Sequence, residues 1–270
     1  MRIQVFILLI LAVLASACGE YEKLLKSTDF EAKKEKAKEY FDEGRYVRSS
    51  ELLSQILPRY RATGEAEELN WLNARCYYNM RDYMMAGTTY KIFADTYPYS
   101  EHAEEATFMT AYCDYLLSPR PELDQAYTNS AIEAFTFFQR RFPGSDKVDE
   151  ARKLINELQD KLVEKSYINA RLYYDLKDYR AAVVALDNSL KDYPNTKHRE
   201  ELMFLKLESS YLYALNSVAE KQPERFQTAL DDYYTFIEEF PDSEFTSEVK
   251  KIYNTTATFL NIDGTEDIIE

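Results

Sequence analysis

The chain has 270 residues, of which 47 are acidic and 33 are basic, so its formal net charge is −14. This charge disfavours nucleic acid and anionic lipid headgroups as partners, because both are polyanions. The sequence contains six glycines and 23 tyrosines, which argues against strands joined by tight glycine turns. Charged and helix-forming residues dominate, and this composition predicts an all-α chain.

The chain begins with an apolar leader. Arg2 precedes an apolar run of 13 residues from Val5 to Ala17, whereas a helix needs ~20 residues to span a bilayer. A membrane span is therefore not expected here. A short apolar run that follows a positive charge and ends in small residues is typical of a secretory signal peptide.

Cys18 directly follows the small residues Ala15-Ser16-Ala17. These four residues resemble the attachment box of bacterial lipoproteins, in which the cysteine thiol is acylated and becomes the mature N-terminus. The resemblance implies a signal peptide over residues 1–17, a covalent lipid on Cys18, and a lipidated tether over residues 18–28. An ordinary secreted protein is the alternative.

Four later segments share one template that begins with an alanine. Counted from this alanine, an apolar residue stands four positions later, another residue of the template stands seven later, an aromatic residue and a proline stand eleven and twelve later, and Ser or Thr stands fourteen later. They read AGTTYKIFADTYPYS (86–100), AIEAFTFFQRRFPGS (131–145), AVVALDNSLKDYPNT (182–196) and ALDDYYTFIEEFPDS (229–243). Positions i, i+4, i+7 and i+11 share one face of a helix. Each segment therefore predicts an amphipathic helix that the proline ends, and the Ser or Thr is placed to cap the next helix.

A second helix is predicted before each template segment. Ala74 stands twelve residues before Ala86, and Ala170 stands twelve before Ala182. This spacing resembles the tetratricopeptide repeat, and a weaker first copy contains Ala37. The resemblance implies a right-handed solenoid of about five helix pairs over residues 29–259, followed by an acidic tail over residues 260–270.

Two cysteines, Cys76 and Cys113, remain in an exported chain, where a disulfide is one interpretation. Each lies two residues after a repeat alanine, Ala74 or Ala111. Equivalent positions in adjacent repeats are ~9–10 Å apart, whereas a disulfide needs Cα atoms within ~7 Å. We therefore predict free, packed thiols.

The sequence nominates no catalytic or metal site. Its two histidines and three cysteines do not show metal-ligand spacing. A Gly-rich phosphate loop and a GxSxG motif are both missing from the sequence. Neighbouring acidic residues are explained by solvated helix faces, so an enzyme is not expected.

The first helix of each pair is expected to line a concave face. Counting from the repeat alanines places these residues on it: Phe41; Trp71, Arg75 and Tyr78; Phe108, Tyr112 and Tyr115; Tyr167, Arg171 and Tyr174. Aromatic rings with polar tips suit a peptide-binding groove that is wet when empty. The alternative is that these rings pack between helices.

Four features have been found together: the attachment box, the short tether, the Tyr/Phe-Pro-x-Ser/Thr repeat ends and the stretch from Leu158 to Thr196. In this combination the chain resembles the BamD family of assembly lipoproteins. The resemblance implies a scaffold of the machinery that inserts β-barrels, anchored in outer membrane lipid on the periplasmic face. It implies that N-terminal repeats bind unfolded barrel substrates and that C-terminal repeats bind the periplasmic repeats of a BamA-like insertase. Other assembly lipoproteins are further candidate partners.

Two other classes of helical-repeat lipoprotein stay open as alternatives. One is an envelope-coordination adaptor, which often carries an N-terminal coiled coil, although residues 19–35 are too short for one. The other is a glycan-binding lipoprotein displayed on the cell surface, a class that is usually much longer than this chain.

Overall fold

The computed structural model describes residues 19–262, and every regular element within that range is helical. The prediction of an all-α, tetratricopeptide-like helical repeat is confirmed. The leader at residues 1–17, the lipidation residue Cys18 and the tail from residue 263 onward lie outside the described residues.

Twelve α-helices follow one another along the described chain. They are α1 (19–26), α2 (Phe30–Asp42), α3 (Tyr46–Tyr60), α4 (Ala66–Asn79), α5 (Tyr83–Thr96), α6 (Ala103–Leu117), α7 (Ala126–Arg141), α8 (Val148–Asp175), α9 (Tyr179–Asp192), α10 (Arg199–Leu215), α11 (Gln222–Glu239) and α12 (Thr246–Leu260). A 3₁₀ turn, Ala219–Lys221, precedes α11. From α2 to α11 the helices form five successive pairs, as predicted, and α12 is a single helix after the fifth pair.

The chain divides into two compact units. The N-terminal unit comprises the described residues through Pro119 together with Gln125–Leu158, and the C-terminal unit comprises Arg120–Asp124 and the described residues from Gln159 onward. The long helix α8 therefore contributes its first eleven residues to one unit and the remainder to the other.

The template segments form the second helix of pairs two to five. The side chains at the alanine, +4 and +7 positions are all buried: Ala86, Tyr90 and Phe93; Ala131, Phe135 and Phe138; Ala182, Leu186 and Ser189; Ala229, Tyr233 and Phe236. The aromatic residue before each proline is the C-cap of its helix. Proline cannot continue a helix and pushes the preceding residue out of α conformation, which explains these ends.

The Ser or Thr after each proline binds the start of the next helix. In the second pair the Ser100 N–H donates to the Tyr97 carbonyl (3.1 Å), and the Ser100 Oγ accepts from the His102 N–H (3.0 Å). Ser145, Thr196 and Ser243 make the same side-chain bond at 3.1, 3.2 and 3.0 Å. The hydroxyl thus satisfies a backbone donor as predicted, but the N-cap itself lies two residues later, at His102 in the second pair.

One contact recurs between consecutive pairs. The residue three positions before the repeat alanine packs against the residue that directly precedes the first helix of the following pair. In the fifth pair Leu207 stands in the place of the alanine. The five instances are Lys34 with Glu65 (N–O 2.9 Å), Trp71 with His102 (ring centroids 4.5 Å), Phe108 with Lys147 (ammonium to ring 4.7 Å), Tyr167 with His198 (3.9 Å) and Phe204 with Phe245 (4.2 Å). We call this the inter-repeat contact. Each instance lies within one unit.

The turn inside a pair is also conserved between repeats. Gly44, Arg81 and Lys177 adopt positive φ angles of 75°, 62° and 61° between the first and second helices. The aspartates that follow two of them, Asp82 and Asp178, accept backbone N–H groups of the second helix at 3.2 Å. This left-handed residue followed by a cap reverses the chain within three residues.

The segment predicted as a tether is helical over residues 19–26 and packs on the first pair. The Tyr21 ring is buried, 5.7 Å from the Tyr40 ring, with the Arg48 guanidinium 4.8 Å above it. Its hydroxyl donates to Glu51. Residues 19–26 are therefore folded against α2 and α3, because the buried aromatic side chain of Tyr21 holds the segment there.

The folded part of the chain also extends beyond residue 259, the predicted end of the repeats. Helix α12 ends at Leu260, its C-cap Asn261 has a left-handed conformation (φ 53°), and Leu260 and Ile262 pack against the core of the C-terminal unit. The first residues of the predicted tail are therefore part of the folded unit.

Candidate functional site

The residues predicted to line a groove occupy three positions on the first helices, at −3, +1 and +4 from the repeat alanine. Because the chain forms two units, we describe the N-terminal residues on α2, α4 and α6 separately from those on the second part of α8.

The −3 position belongs to the core. Trp71 is 7 % exposed and packs on His102 and on Tyr90, whose ring centroid is 5.5 Å away. Phe108 is 3 % exposed and lies against the buried rings of the same unit. The prediction that Trp71 and Phe108 line a groove is therefore wrong, because this position makes the inter-repeat contact.

The +4 position lies at the surface beside the turn of each pair. Phe41, Tyr78, Tyr115 and Tyr174 are half-buried. Three of them pack against the tyrosine that begins the second helix of their own pair: Phe41 on Tyr46 (5.4 Å), Tyr78 on Tyr83 (5.9 Å) and Tyr174 on Tyr179 (6.4 Å). Each ring therefore keeps one side accessible while the turn holds its orientation.

In the N-terminal unit these residues form a row across three first helices. The exposed Arg75 places its guanidinium 4.7 Å from the centre of the Phe41 ring. Tyr112 stacks on Tyr115 at 5.7 Å. Burial, followed by the neighbouring Tyr112, raises the pKa of Tyr78. We call Phe41, Arg75, Tyr78, Tyr112 and Tyr115 the first-helix face.

Hydrogen bonding differs along this face. Tyr115 donates to Glu157 at 2.9 Å, and burial followed by this bond raises its pKa. No hydrogen bond joins the hydroxyl of Tyr78 or Tyr112 to another of residues 19–262. These two tyrosines therefore offer both a ring surface and a hydroxyl to a ligand.

The predicted residues of the C-terminal unit lie in a hydrogen-bond network. Arg171 donates to the Tyr167 hydroxyl (2.6 Å) and to Glu201 (2.8 Å), which also accepts from Tyr167 at 2.9 Å. Tyr174 donates to Glu208 at 2.7 Å, and burial followed by this bond raises its pKa. The polar tips of these tyrosines are satisfied within the chain, so they are less suited to a ligand than Tyr78 and Tyr112.

Cys76 and Cys113 are free and fully buried, as predicted. The Cys76 thiol lies 3.3 Å from the Ser49 hydroxyl. Burial raises the pKa to about 11 for Cys76 and to about 12 for Cys113. Both therefore remain neutral thiols near pH 7, and thiols in this state are poor nucleophiles.

The sequence reasoning missed an exposed apolar patch in the C-terminal unit. Leu172, which occupies the repeat position of Cys76 and Cys113, is 50 % exposed, and Leu176 and Val184 are 66 % and 58 % exposed. The signal was a large apolar residue where the second, third and fifth pairs carry the small residues Cys76, Cys113 and Ser209. We call Leu172, Tyr173, Leu176 and Val184 the α8–α9 patch.

Among residues 19–262, no three His, Cys, Asp or Glu side chains are grouped so that they could hold a metal ion. Within the same residues, no helix combines the length and the apolar character that crossing a bilayer requires.

Known proteins resemble this chain over most of its length. The profile of the YfiO family, described as outer membrane lipoprotein, matches residues 30–222 and 167–258. The outer membrane protein assembly factor BamD of Caulobacter vibrioides is 26 % identical over 129 residues, which cover 48 % of this chain and 42 % of that protein. The chain thus spans less than half of that relative's length. BamD of Rickettsia prowazekii is 21 % identical over 180 residues, covering 67 % of this chain and 72 % of the relative.

The placement of Trp71 in the core generates a stability prediction. We expect Trp71→Ala to lower the free energy of unfolding by about 3–5 kcal/mol, because it removes a buried ring and leaves a cavity. Arg75→Ala, one turn further along the same helix and exposed, should cost at most about 1 kcal/mol. Urea unfolding followed by circular dichroism measures both, and equal losses would contradict the assignment of Trp71 to the core.

Proposed function

The chain belongs to the YfiO family of outer membrane lipoproteins, and from this premise we propose that it is a lipid-anchored helical-repeat scaffold for the assembly of outer membrane β-barrel proteins. The observation that carries the proposal is the family match over residues 30–222. The names of two relatives, both assembly factors, support the same role.

Cys18 is the proposed anchor, on the periplasmic face of the outer membrane. An acyl chain contributes ~0.8 kcal/mol per buried CH₂, so several chains on one cysteine give stable attachment. Helix α1 is described from residue 19 and packs on the first pair through Tyr21. A lipid on Cys18 would therefore hold the first pair itself close to the bilayer.

The anchor has a direct test. The wild-type protein extracted from outer membranes should lack residues 1–17 and carry the mass of acyl chains on Cys18. Cys18→Ser should leave the protein unacylated and outside the membrane fraction, since no other lipid is proposed. Intact-mass spectrometry after fractionation measures both, and an acylated or membrane-bound Cys18→Ser protein would reject this anchor.

The first-helix face of the N-terminal unit is the proposed contact for unfolded barrel segments. Such segments alternate apolar and polar residues. The half-buried rings of Tyr78 and Tyr112 present apolar surface, and their hydroxyl groups can bond a peptide backbone. Arg75 is exposed beside them and adds a donor for peptide carbonyls.

We expect Tyr78→Ala combined with Tyr112→Ala to weaken the binding of an unfolded barrel-strand peptide by at least about tenfold, since two aromatic contacts are lost. Fluorescence anisotropy with a labelled peptide measures the affinity. Tyr99→Ala is the matched control, because Tyr99 is a fully exposed tyrosine of the same unit outside the face. Unchanged affinity in the double variant would reject this face as the substrate contact.

The α8–α9 patch is the proposed contact for the periplasmic repeats of a BamA-like insertase. Exposed apolar residues grouped on one surface are typical of protein–protein contacts. Leu172 on α8, Leu176 in the turn after it and Val184 on α9 are each at least half exposed. Docking there would leave the N-terminal unit available for substrate.

Affinity purification from detergent-solubilised membranes tests this partner. The wild-type chain should recover a large β-barrel protein with periplasmic repeats, and Leu172→Glu combined with Leu176→Glu should reduce that recovery at least about fivefold, because charges would be buried at the contact. Val47→Glu combined with Ile92→Glu, two exposed apolar positions in the N-terminal unit, is the control. Recovery of division or peptidoglycan proteins alone would reject the assembly role.

A further inference from the structure

The outward side of α5 carries an uncharged, largely apolar stripe. The template residues of this helix are buried in the core, so the stripe lies on the side that faces away from it. Met84 is 58 % exposed, Met85 is 42 % exposed and Ile92 is 57 % exposed. Thr88 is exposed and Thr89 is half-buried between them. We call these five residues the α5 face.

The two threonines of the α5 face are already hydrogen-bonded within their own helix. The Thr88 hydroxyl donates to the Met84 carbonyl at 3.0 Å, and the Thr89 hydroxyl donates to the Met85 carbonyl at 2.7 Å. A hydroxyl that bonds the carbonyl four residues earlier needs no partner outside the helix. Apolar side chains can therefore cover this face without leaving a buried donor unpaired.

This composition is specific to α5 and is not a general property of the repeats. Met84, Met85, Thr88 and Ile92 stand at positions −2, −1, +2 and +6 from the template alanine. At the same four positions every other second helix carries at least one charge, with Ser49 in the place of the alanine in α3. The charged residues are Arg48 and Glu51 in α3, Glu133 in α7, Arg180 in α9 and Asp231 in α11. An uncharged apolar surface of this kind is typical of a contact between polypeptides.

Four charged side chains border the α5 face, two towards each end of the helix. Arg81 and Asp82 directly precede α5, and Lys91 and Asp95 lie in its last two turns. All four are exposed, and none of them forms an ion pair with another of residues 19–262. Each end of the face therefore offers one unpaired cation and one unpaired anion to a partner.

The α5 face is complementary to itself when two copies of the helix run antiparallel. A two-fold axis at Thr88 places Met84 of one copy opposite Ile92 of the other, so apolar side chains meet on both sides of the axis. Every contact of such an interface occurs twice, because the same surface is used by both copies. The flexible methionine side chains can adjust to the opposing surface.

The bordering charges favour the antiparallel arrangement over a parallel one. With the axis at Thr88, Arg81 of one copy lies opposite Asp95 of the other, and Asp82 lies opposite Lys91. A parallel pair would instead place Arg81 against Arg81 and Asp95 against Asp95, and like charges across an interface are unfavourable. Charge complementarity thus identifies a second copy of this chain as the occupant of the face.

We propose that the α5 face is a self-association surface, on which a second copy of the chain docks its own α5 in antiparallel orientation. A single helix pair buries less than the ~1,200 Å² that stable complexes bury. The dimer is therefore weak and reversible, with a Kd on the order of 100 μM. The surface lies outside the first-helix face and the α8–α9 patch, and the proposal does not depend on the assembly role.

Sedimentation equilibrium tests the association on the full mature chain, which carries Cys18→Ser so that it stays unacylated. The chain with an unaltered α5 face should form a reversible dimer with the stated Kd. Met84→Glu combined with Ile92→Glu should leave it monomeric up to about 1 mM, because carboxylates then lie opposite each other. Val47→Glu combined with Val218→Glu is the matched control, since both valines are similarly exposed outside the face, and it should keep the original Kd.

Charge reversal tests the orientation. Arg81→Asp alone and Asp95→Arg alone each set like charges opposite each other at both ends, so each should raise the Kd at least about fivefold. Asp is suited to the left-handed backbone of residue 81. An equimolar mixture of the two variants should associate to within about threefold of the unaltered face, because the mixed dimer pairs opposite charges at both ends.

The mixture also serves as the test if the variant with two glutamates does not fold, as circular dichroism would show. Three results would overturn the proposal: an unaltered α5 face that leaves the chain monomeric at about 1 mM, a folded Met84→Glu, Ile92→Glu variant that still dimerises, or a mixture that associates no better than its components.

Discussion

The inter-repeat contact is the interaction on which the rest of the structure depends. Five times, the residue three before the repeat alanine meets the residue that precedes the next first helix. The chemistry changes from an ion pair at Lys34–Glu65 to ring stacking at Trp71–His102 and a cation over a ring at Phe108–Lys147. In four of the five cases the aromatic-Pro-x-Ser/Thr turn places the residue that precedes the next first helix, and in the first pair Thr63 accepts from the Glu65 N–H at 3.3 Å without that turn. Packing of one pair therefore sets where the next first helix begins.

This contact also separates core residues from surface residues on the first helices. A helix turns 100° per residue, so positions −3 and +4, which are seven residues apart, lie on nearly the same side of the helix, about two turns apart along its axis. The −3 side chain is used by the next repeat and is unavailable to a ligand, as Trp71 and Phe108 show. The +4 side chain is held by the turn of its own pair, as Tyr78 is by Tyr83. The candidate binding surface is what remains after the repeats have packed.

The two units present different side chains on a common framework of repeats. At one repeat position the N-terminal unit carries the buried Cys113, whereas the C-terminal unit carries the half-exposed Leu172. In the C-terminal unit, glutamates on α10 satisfy Tyr167 and Tyr174. A repeat protein can thus keep its stacking contacts and still present different chemistry at each end, because stability and recognition use different positions of the repeat.

The sequence alone determined the helical class, the five pairs, the helix ends at the four template prolines and the two free thiols. These follow from spacing along the chain, and helix periodicity and proline geometry act over a few residues. Only the tertiary structure decided that residues 19–26 pack through Tyr21, that Trp71 is buried while Arg75 is exposed, and that Leu172 is uncovered. Burial depends on which distant helix lies against a side chain. A local pattern marks an apolar face but does not say how far the neighbouring repeat covers it.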